Sequence, residues 1–181
     1  MHFFAQPPLR ARAPEEGPGQ IAWLDVLLSL SVMLVCFFYG VRALGLLGPD
    51  EPRYAAIARD MARTGDWVTP RLAGQPWFEK PILFYWLAGE AYRWFGDGEL
   101  AMRLPSILAA ILATMAAAWA GLRAFGTLAA RLTLLMLPAT VAMIGLAHSA
   151  GFDMLFAAFL MISAAAAAEM LERRRAQTPF R

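Results

Sequence analysis

Two adjacent carboxylates, Asp50 and Glu51, open a polar segment between long apolar stretches. A carboxylate at this position can cap the first turn of a helix, and Pro52 is well suited to that turn. A carboxylate can also accept the proton of an attacking hydroxyl group as a general base. The pair alone leaves both roles open, and capping is the more common of the two.

Charged residues of the same segment could hold an anion or a metal ion. Arg53 and Arg59 lie on the helix that is predicted to begin at Asp50, and Glu79 and Lys80 stand before a proline and the next apolar helix. Lys80 could meet a lipid phosphate as a point charge. A solvated Glu79–Lys80 pair is the more common meaning of such a short motif.

A third carboxylate, Asp153, stands at the start of a later apolar run. A charged group at the edge of a membrane span is costly, so Asp153 should either cap its helix or face a partner. His148 lies in the same predicted turn. A histidine and an aspartate could ligate a metal ion, but two ligands are too few to define a site.

The composition predicts a membrane protein. Hydrophobic residues make up 59% of the 181 residues, and the mean hydropathy is +0.49. The apolar residues are concentrated in long runs with few charges, which is typical of membrane spans. The net charge is only +2. Basic residues form no stripe interleaved with aromatic residues, so nucleic acid is not an expected partner.

Four apolar stretches are long enough to cross a bilayer, which takes about 20 residues. They cover residues 21–47, 101–122, 130–148 and 153–171. They predict an all-α, polytopic membrane domain over residues 21–172. Residues 1–20, which contain four prolines, are expected to form a mobile cytoplasmic tail, and residues 173–181 a cytoplasmic end.

The loop over residues 48–100 is predicted to contain two helices that lie in the membrane interface. The first begins at Asp50 and ends at Gly65. It places Tyr54, Ile57, Ala58 and Met61 at helical spacing on one face. The second covers residues 82–96, which would be about 22 Å long and therefore too short to span. Its Trp and Tyr residues and its charges suit an interface.

Basic residues predict the orientation. If residues 82–96 lie in the interface, the same side of the membrane carries Arg10, Arg12, Arg123, Arg131 and Arg173–Arg175. The positive-inside rule makes that side cytoplasmic. The loop over residues 48–100 and the turn at Ser149–Asp153 are then expected on the opposite face.

Several short motifs follow one another in a fixed order. They are Asp50-Glu51-Pro52-Arg53-Tyr54, Ala58-Arg59-Asp60-Met61, Gly65-Asp66-Trp67, Pro70-Arg71-Leu72, Phe78-Glu79-Lys80-Pro81, Tyr85-Trp86 and Ala101-Met102-Arg103-Leu104-Pro105-Ser106. In this order they closely resemble the bacterial dolichyl-phosphate-mannose–protein mannosyltransferase-like enzymes, and among these they are most similar to the aminoarabinose transferases that modify lipid A. The resemblance covers about residues 23–172 and implies the N-terminal part of a GT-C-type fold.

The resemblance also implies an activity and its site. Members of this family take a sugar from a polyprenyl phosphate on the outer face of the bacterial inner membrane. Asp50 of the acidic pair falls on a position that is catalytic or organises the acceptor, and Asp153 falls on the acidic position at the start of the fourth span. Glu79 and Lys80 fall on positions implicated in metal and phosphate binding, so a divalent metal ion is the one cofactor to consider. Phe152 stands where the family usually has threonine.

The leading hypothesis is therefore a glycosyltransferase that inverts the anomeric carbon. Asp50, with Glu51, would accept the proton of the acceptor, which could be lipid A, a protein or another glycan. Lys80, Arg53 and Arg59 would stabilise the leaving phosphate.

Two other hypotheses remain. The chain could be a truncated, non-catalytic membrane fragment or a partner subunit that needs a separate C-terminal polypeptide. A transporter subunit has little support, because the spans lack paired broken helices and midplane charges.

Overall fold

Seven helices and one short hairpin make up the part of the chain that the structure describes, residues 23–177, with side chains up to Arg174. The elements of this computed structural model are α1 (Trp23–Phe38), α2 (Asp50–Thr64), β1 (Arg71–Leu72), β2 (Gln75–Pro76), α3 (Leu83–Phe95), α4 (Glu99–Phe125), α5 (Thr127–Met136), α6 (Val141–Ala147) and α7 (Asp153–Gln177). The all-α prediction is confirmed. The tail predicted over residues 1–20 and the last residues, 178–181, lie outside the described range.

Two helices of the described range are long and apolar enough to cross a membrane, α4 and α7. They contain the predicted spans 101–122 and 153–171. The bent pair of α5 and α6 can form a third span, so this range supports fewer spans than the four predicted. Within the predicted span 21–47, α1 reaches only to Phe38, and a turn follows in which Gly40 has a φ of +73°.

The predicted span 130–148 is not one continuous helix. Its two halves, α5 and α6, meet at a bend of 58°. Pro138 lies in the break and is fully buried. Proline has no backbone N–H and its ring clashes with the preceding turn, so a helix breaks there. Thr140 starts the second half by accepting a hydrogen bond from the backbone N–H of Met143 at 3.4 Å.

The helices α4 and α7 run parallel to each other. Near their N-terminal ends, the Ser106 hydroxyl donates to the Gly151 carbonyl at 3.3 Å. Near their C-terminal ends, Arg123 Nε donates to Glu169 Oε2 at 2.8 Å. Contacts of this kind at both ends show that the two helices share one direction.

A similar pair of contacts aligns α1 with the bent pair. Asp25 and Arg131 form an ion pair at 2.9 Å near the N-termini of α1 and α5. At the other end of these helices, His148 Nε2 lies 3.1 Å from the Phe37 carbonyl oxygen. Since α4 runs opposite to α5, Arg123 and Arg131 lie at the same end of the helix bundle. The predicted orientation depends on this grouping, and the side of the membrane on which it lies stays a prediction.

Helix α2 has the boundaries and the buried face that the sequence predicts. Its apolar face is buried through Tyr54, Ile57, Ala58 and Met61. Gly65 ends the helix with a φ of +75°. Neither carboxylate caps the helix, which removes one of the two roles that the sequence left open for the pair. The N-cap position is Pro49, without a side-chain hydrogen bond, and both carboxylates stand within the first turn.

The predicted second interfacial helix is α3, which packs on α2 and on α4. Trp86 Nε1 donates to the Trp67 carbonyl at 2.6 Å, and Arg63 Nε donates to the Tyr92 hydroxyl at 3.0 Å. Between α2 and α3, β1 and β2 form an antiparallel hairpin that the sequence did not predict. These elements form a layer at one end of the bundle.

We expect Gly89→Ala to separate α2 from α3. A Cβ atom on Gly89 would lie 3.0 Å from the Trp67 ring and 3.1 Å from the Ala58 carbonyl oxygen. Overpacking of this kind costs about 1–3 kcal/mol of unfolding free energy. Thermal unfolding in detergent measures the loss. Gly145→Ala is the matched control, because nothing lies within 4 Å of its new Cβ atom. Equal stability of the two variants would contradict the close packing.

Candidate active site

Four of the predicted site residues form one row of alternating charges. An Arg53 Nη1 atom lies 3.4 Å from Asp50 Oδ1 and 3.8 Å from Glu79 Oε2. Lys80 Nζ lies 3.9 Å from Glu79 Oε1. The Asp50 side chain is 60% exposed, so its carboxylate can reach a ligand. The structure therefore brings together the predicted base and two of the three predicted phosphate-binding cations.

Arg53 is held in this row by an aromatic ring as well as by charge. Its guanidinium carbon lies 5.5 Å from the centroid of the Trp77 ring, an arrangement in which cation and ring attract each other. Trp77 directly follows the hairpin, and its backbone N–H donates to the Pro70 carbonyl at 2.7 Å. The hairpin thus positions Glu79 and Lys80 next to the first turn of α2.

Glu51, the other half of the acidic pair, is buried. Its carboxylate accepts hydrogen bonds from the backbone N–H of Leu47 at 2.9 Å, from that of Ala150 at 3.0 Å, and from Arg103 Nη2 at 3.1 Å. Burial by itself would raise the pKa of Glu51, but these hydrogen bonds outweigh it and lower the pKa. The geometry favours a positioning role for Glu51 over its predicted catalytic role.

Arg103 is a central residue to which the sequence analysis gave no role. Its side chain is only 3% exposed. Besides Glu51, it donates to the carbonyls of Val41 at 2.6 Å, Leu44 at 2.8 Å and Gly45 at 2.9 Å. The sequence did contain a signal for this role, because a charged arginine within an apolar helix needs partners. Arg103 ties the turn after α1 to α4.

Asp153 lies at the same end of the bundle as the charged row. Glu51 binds the backbone of Ala150, just before α7, and the Phe152 ring packs 4.9 Å from the Tyr54 ring. Burial, followed by the charge of Asp50, raises the pKa of Tyr54, and Asp153 contributes in the same direction. The Asp153 side chain is exposed.

Two predicted residues lie outside this group. Arg59 faces another side of α2 and pairs with Asp97, with 2.7 Å between Arg59 Nε and Asp97 Oδ1. His148 is engaged with the Phe37 carbonyl. Neither residue contacts the charged row.

The predicted metal site does not take shape in the described part of the chain. No three His, Cys, Asp or Glu side chains within residues 23–174 are placed to hold a metal ion together. Glu79 is flanked by the cations Arg53 and Lys80 rather than by further ligands. These surroundings fit an anion better than a metal ion.

Residues 79–178 match the family model of dolichyl-phosphate-mannose-protein mannosyltransferase, which is more than half of the chain. The chain belongs to this family. The resemblance inferred from the ordered motifs is thereby confirmed.

Curated relatives and solved structures agree with this assignment. Undecaprenyl phosphate-alpha-4-amino-4-deoxy-L-arabinose arabinosyl transferase from Edwardsiella ictaluri is 40% identical over 93 residues, which is 50% of this chain and 17% of the relative. The enzyme of the same name from Aeromonas salmonicida is 44% identical over 78 residues, 43% of this chain and 14% of the relative. ArnT from Cupriavidus metallidurans bound to undecaprenyl phosphate matches with a TM-score of 0.71 at 38% identity, over 75% of this chain and 25% of that one. The chain thus spans a minor part of the length of these proteins.

We expect Arg103→Ala to destabilise the fold strongly. The variant leaves the Glu51 carboxylate buried without its cation, and the loss of one partner of such a pair costs about 3–5 kcal/mol. Denaturant unfolding in detergent measures it. Arg93→Ala is the control, since the Arg93–Glu90 ion pair is exposed and should contribute about 1 kcal/mol or less. Similar losses in both variants would refute the central role of Arg103.

The lowered pKa of Glu51 predicts a pH dependence of stability. Its ordinary value is 4.5, and the folded-state value lies below that. The stabilisation is therefore complete above pH 4.5 and is lost as the pH falls through the folded-state pKa. The difference in Tm between wild type and Glu51→Gln should stay constant above pH 4.5 and shrink below it. Backbone hydrogen bonds also lower the pKa of Asp66. Asp66 titrates in both proteins, so its contribution cancels in the difference between their Tm values. A Tm difference that stays constant as the pH falls below 4.5 would contradict the lowered pKa of Glu51.

Proposed function

We propose that this chain carries part of the active site of a glycosyltransferase that moves a sugar from a polyprenyl phosphate to an acceptor. The observation that supports it is the charged row of Asp50, Arg53, Glu79 and Lys80, at the same end of the bundle as Asp153. Displacement at an anomeric carbon needs a proton acceptor near the incoming oxygen and cations near the departing phosphate. The row offers both within a few ångströms.

Asp50 is the proton acceptor in this proposal. Its carboxylate is exposed in the first turn of α2, and Arg53 lies beside it at 3.4 Å. The acceptor hydroxyl oxygen attacks the anomeric carbon from the face opposite the phosphate, and its proton passes to Asp50. The new glycosidic bond forms as the bond from carbon to phosphate oxygen breaks, so the anomeric configuration inverts.

Lys80 and Arg53 assist the departure of the phosphate. The polyprenyl phosphate leaves with an additional negative charge, which cations stabilise without proton transfer. The Lys80 side chain is 39% exposed and the Arg53 side chain 30% exposed, so both can contact a ligand. Glu79 lies between the two cations and holds them in place. Arg59 is left out of this step, because it pairs with Asp97 instead.

The names of the relatives suggest the substrate. They are transferases of 4-amino-4-deoxy-L-arabinose from undecaprenyl phosphate, so we propose that lipid-linked sugar as the donor. Lipid A is the proposed acceptor, since the motif resemblance points to enzymes that modify it, with protein and other glycans as alternatives. The positive-inside rule places the end that carries Asp50 on the outer face of the inner membrane.

We expect Asp50→Asn to reduce sugar transfer by about 10²–10⁴-fold, the usual contribution of a general base. The assay measures transfer of radiolabelled aminoarabinose from undecaprenyl phosphate to lipid A on membranes that contain the protein. Glu90→Gln is the control, because this exposed carboxylate pairs with Arg93 on α3, outside the charged row. Full activity of Asp50→Asn at unchanged expression would remove Asp50 from the mechanism.

The same assay decides between an enzyme and a non-catalytic module. It is run with this chain alone and with the remaining part of the Cupriavidus metallidurans protein expressed as a separate polypeptide, since the chain covers 25% of that protein. Transfer in either arm supports the proposal. If neither arm turns over while the relative does so when split at the matching position, the chain acts as a non-catalytic module.

A further inference from the structure

A second buried carboxylate, Glu169, lies at the end of the bundle opposite to Asp50. It accepts hydrogen bonds from Arg123 Nε at 2.8 Å, Arg123 Nη2 at 3.2 Å and Arg173 Nε at 2.7 Å. The Glu169 side chain is 10% exposed. The three residues therefore form a clamp in which one carboxylate fixes two guanidinium groups side by side.

The clamp keeps a positive charge available for a ligand. The side chains of Arg123 and Arg173 are 50% and 73% exposed. Within the described residues, Nη1 of Arg123 and both Nη atoms of Arg173 have no hydrogen-bond acceptor. Two arginines and one glutamate leave an excess of one positive charge. The neighbouring residues Glu172 and Arg174 carry opposite formal charges, and the charge of Glu172 also acts on Arg123.

The surroundings of the clamp are apolar and exposed. Large apolar side chains near it are exposed, namely Phe125 (82%), Leu128 (69%), Met170 (59%) and Leu171 (57%). Such a surface is unfavourable in water and suits the acyl chains of a bilayer. Twenty residues of α4 separate Arg103 from Arg123, which is about 30 Å of helix and matches the hydrocarbon core of a membrane.

We propose that Arg123 and Arg173, held by Glu169, bind the phosphodiester headgroup of an anionic phospholipid such as phosphatidylglycerol. The depth set by α4 places both guanidinium groups in the headgroup layer, and the apolar side chains around them contact the acyl chains. Guanidinium groups bind phosphate oxygens through paired N–H donors. A zwitterionic lipid carries its own cation beside the phosphate and gains less from the excess positive charge. This site is separate from the charged row and does not depend on the proposed transferase activity.

Native mass spectrometry of the full chain in a neutral detergent tests the site. The protein is titrated with phosphatidylglycerol, with phosphatidylcholine of the same acyl chains, and with inorganic phosphate. We expect phosphatidylglycerol to bind more tightly than the other two. Arg173→Gln should weaken its binding about fivefold, the usual effect of one basic residue near an anionic membrane surface. Arg173→Lys keeps the charge but loses the paired donors, so it should recover only part of that loss.

Arg93→Gln is the matched control, because Arg93 is another exposed arginine that pairs with a glutamate one helical turn earlier, but at the other end of the bundle. It should leave the binding of phosphatidylglycerol unchanged. Equal binding of phosphatidylglycerol and phosphatidylcholine would overturn the proposal. Equal losses in Arg173→Gln and Arg93→Gln would also overturn it. Arg173 is largely exposed, so its variants should fold, and an unchanged Tm confirms this.

Discussion

The arrangement of the candidate site depends on the buried pair of Arg103 and Glu51. Together these side chains bind the turn after α1, the first turn of α2 and the segment before α7. A buried ion pair needs further hydrogen bonds to offset the desolvation of its two charges. Backbone groups supply most of them here, with Arg103 Nε left without a partner among the described residues, and the pair joins segments that are far apart in sequence. Asp50 and Asp153 flank the joined segments and are held at the same end of the bundle.

Local patterns predicted the elements that carry the site. The apolar spacing from Tyr54 to Met61 predicted the buried face of α2, and Gly65 predicted its end. Arg53 follows Asp50 by three residues, which on a helix brings the two side chains together. Periodicity could not predict the contact of Arg53 with Glu79, because that contact depends on how the hairpin folds back onto α2.

Predictions from the sequence differed from the structure where tertiary contacts outweigh local preference. Asp50 and Glu51 look equivalent as a pair, but successive helical side chains point about 100° apart. Glu51 therefore faces Arg103 in the interior while Asp50 faces outward. Arg59 and Arg53 likewise share a helix but not a face, and Arg59 pairs with Asp97. The break at Pro138 was visible as a proline, but hydropathy averaged over residues 130–148 concealed it.

Helix α4 carries the same kind of arginine–glutamate contact at both of its ends. Arg103 near its start and Arg123 near its end each bind a largely buried glutamate on another helix. The burial differs, since the Arg103 side chain is 3% exposed and the Arg123 side chain 50% exposed. The enclosed Arg103 donates through both of its Nη atoms to the protein and holds the structure together. A half-exposed arginine keeps donors for the medium around it. The same residue type on one helix thus stabilises the fold at the end that carries Asp50 and faces the surroundings at the other.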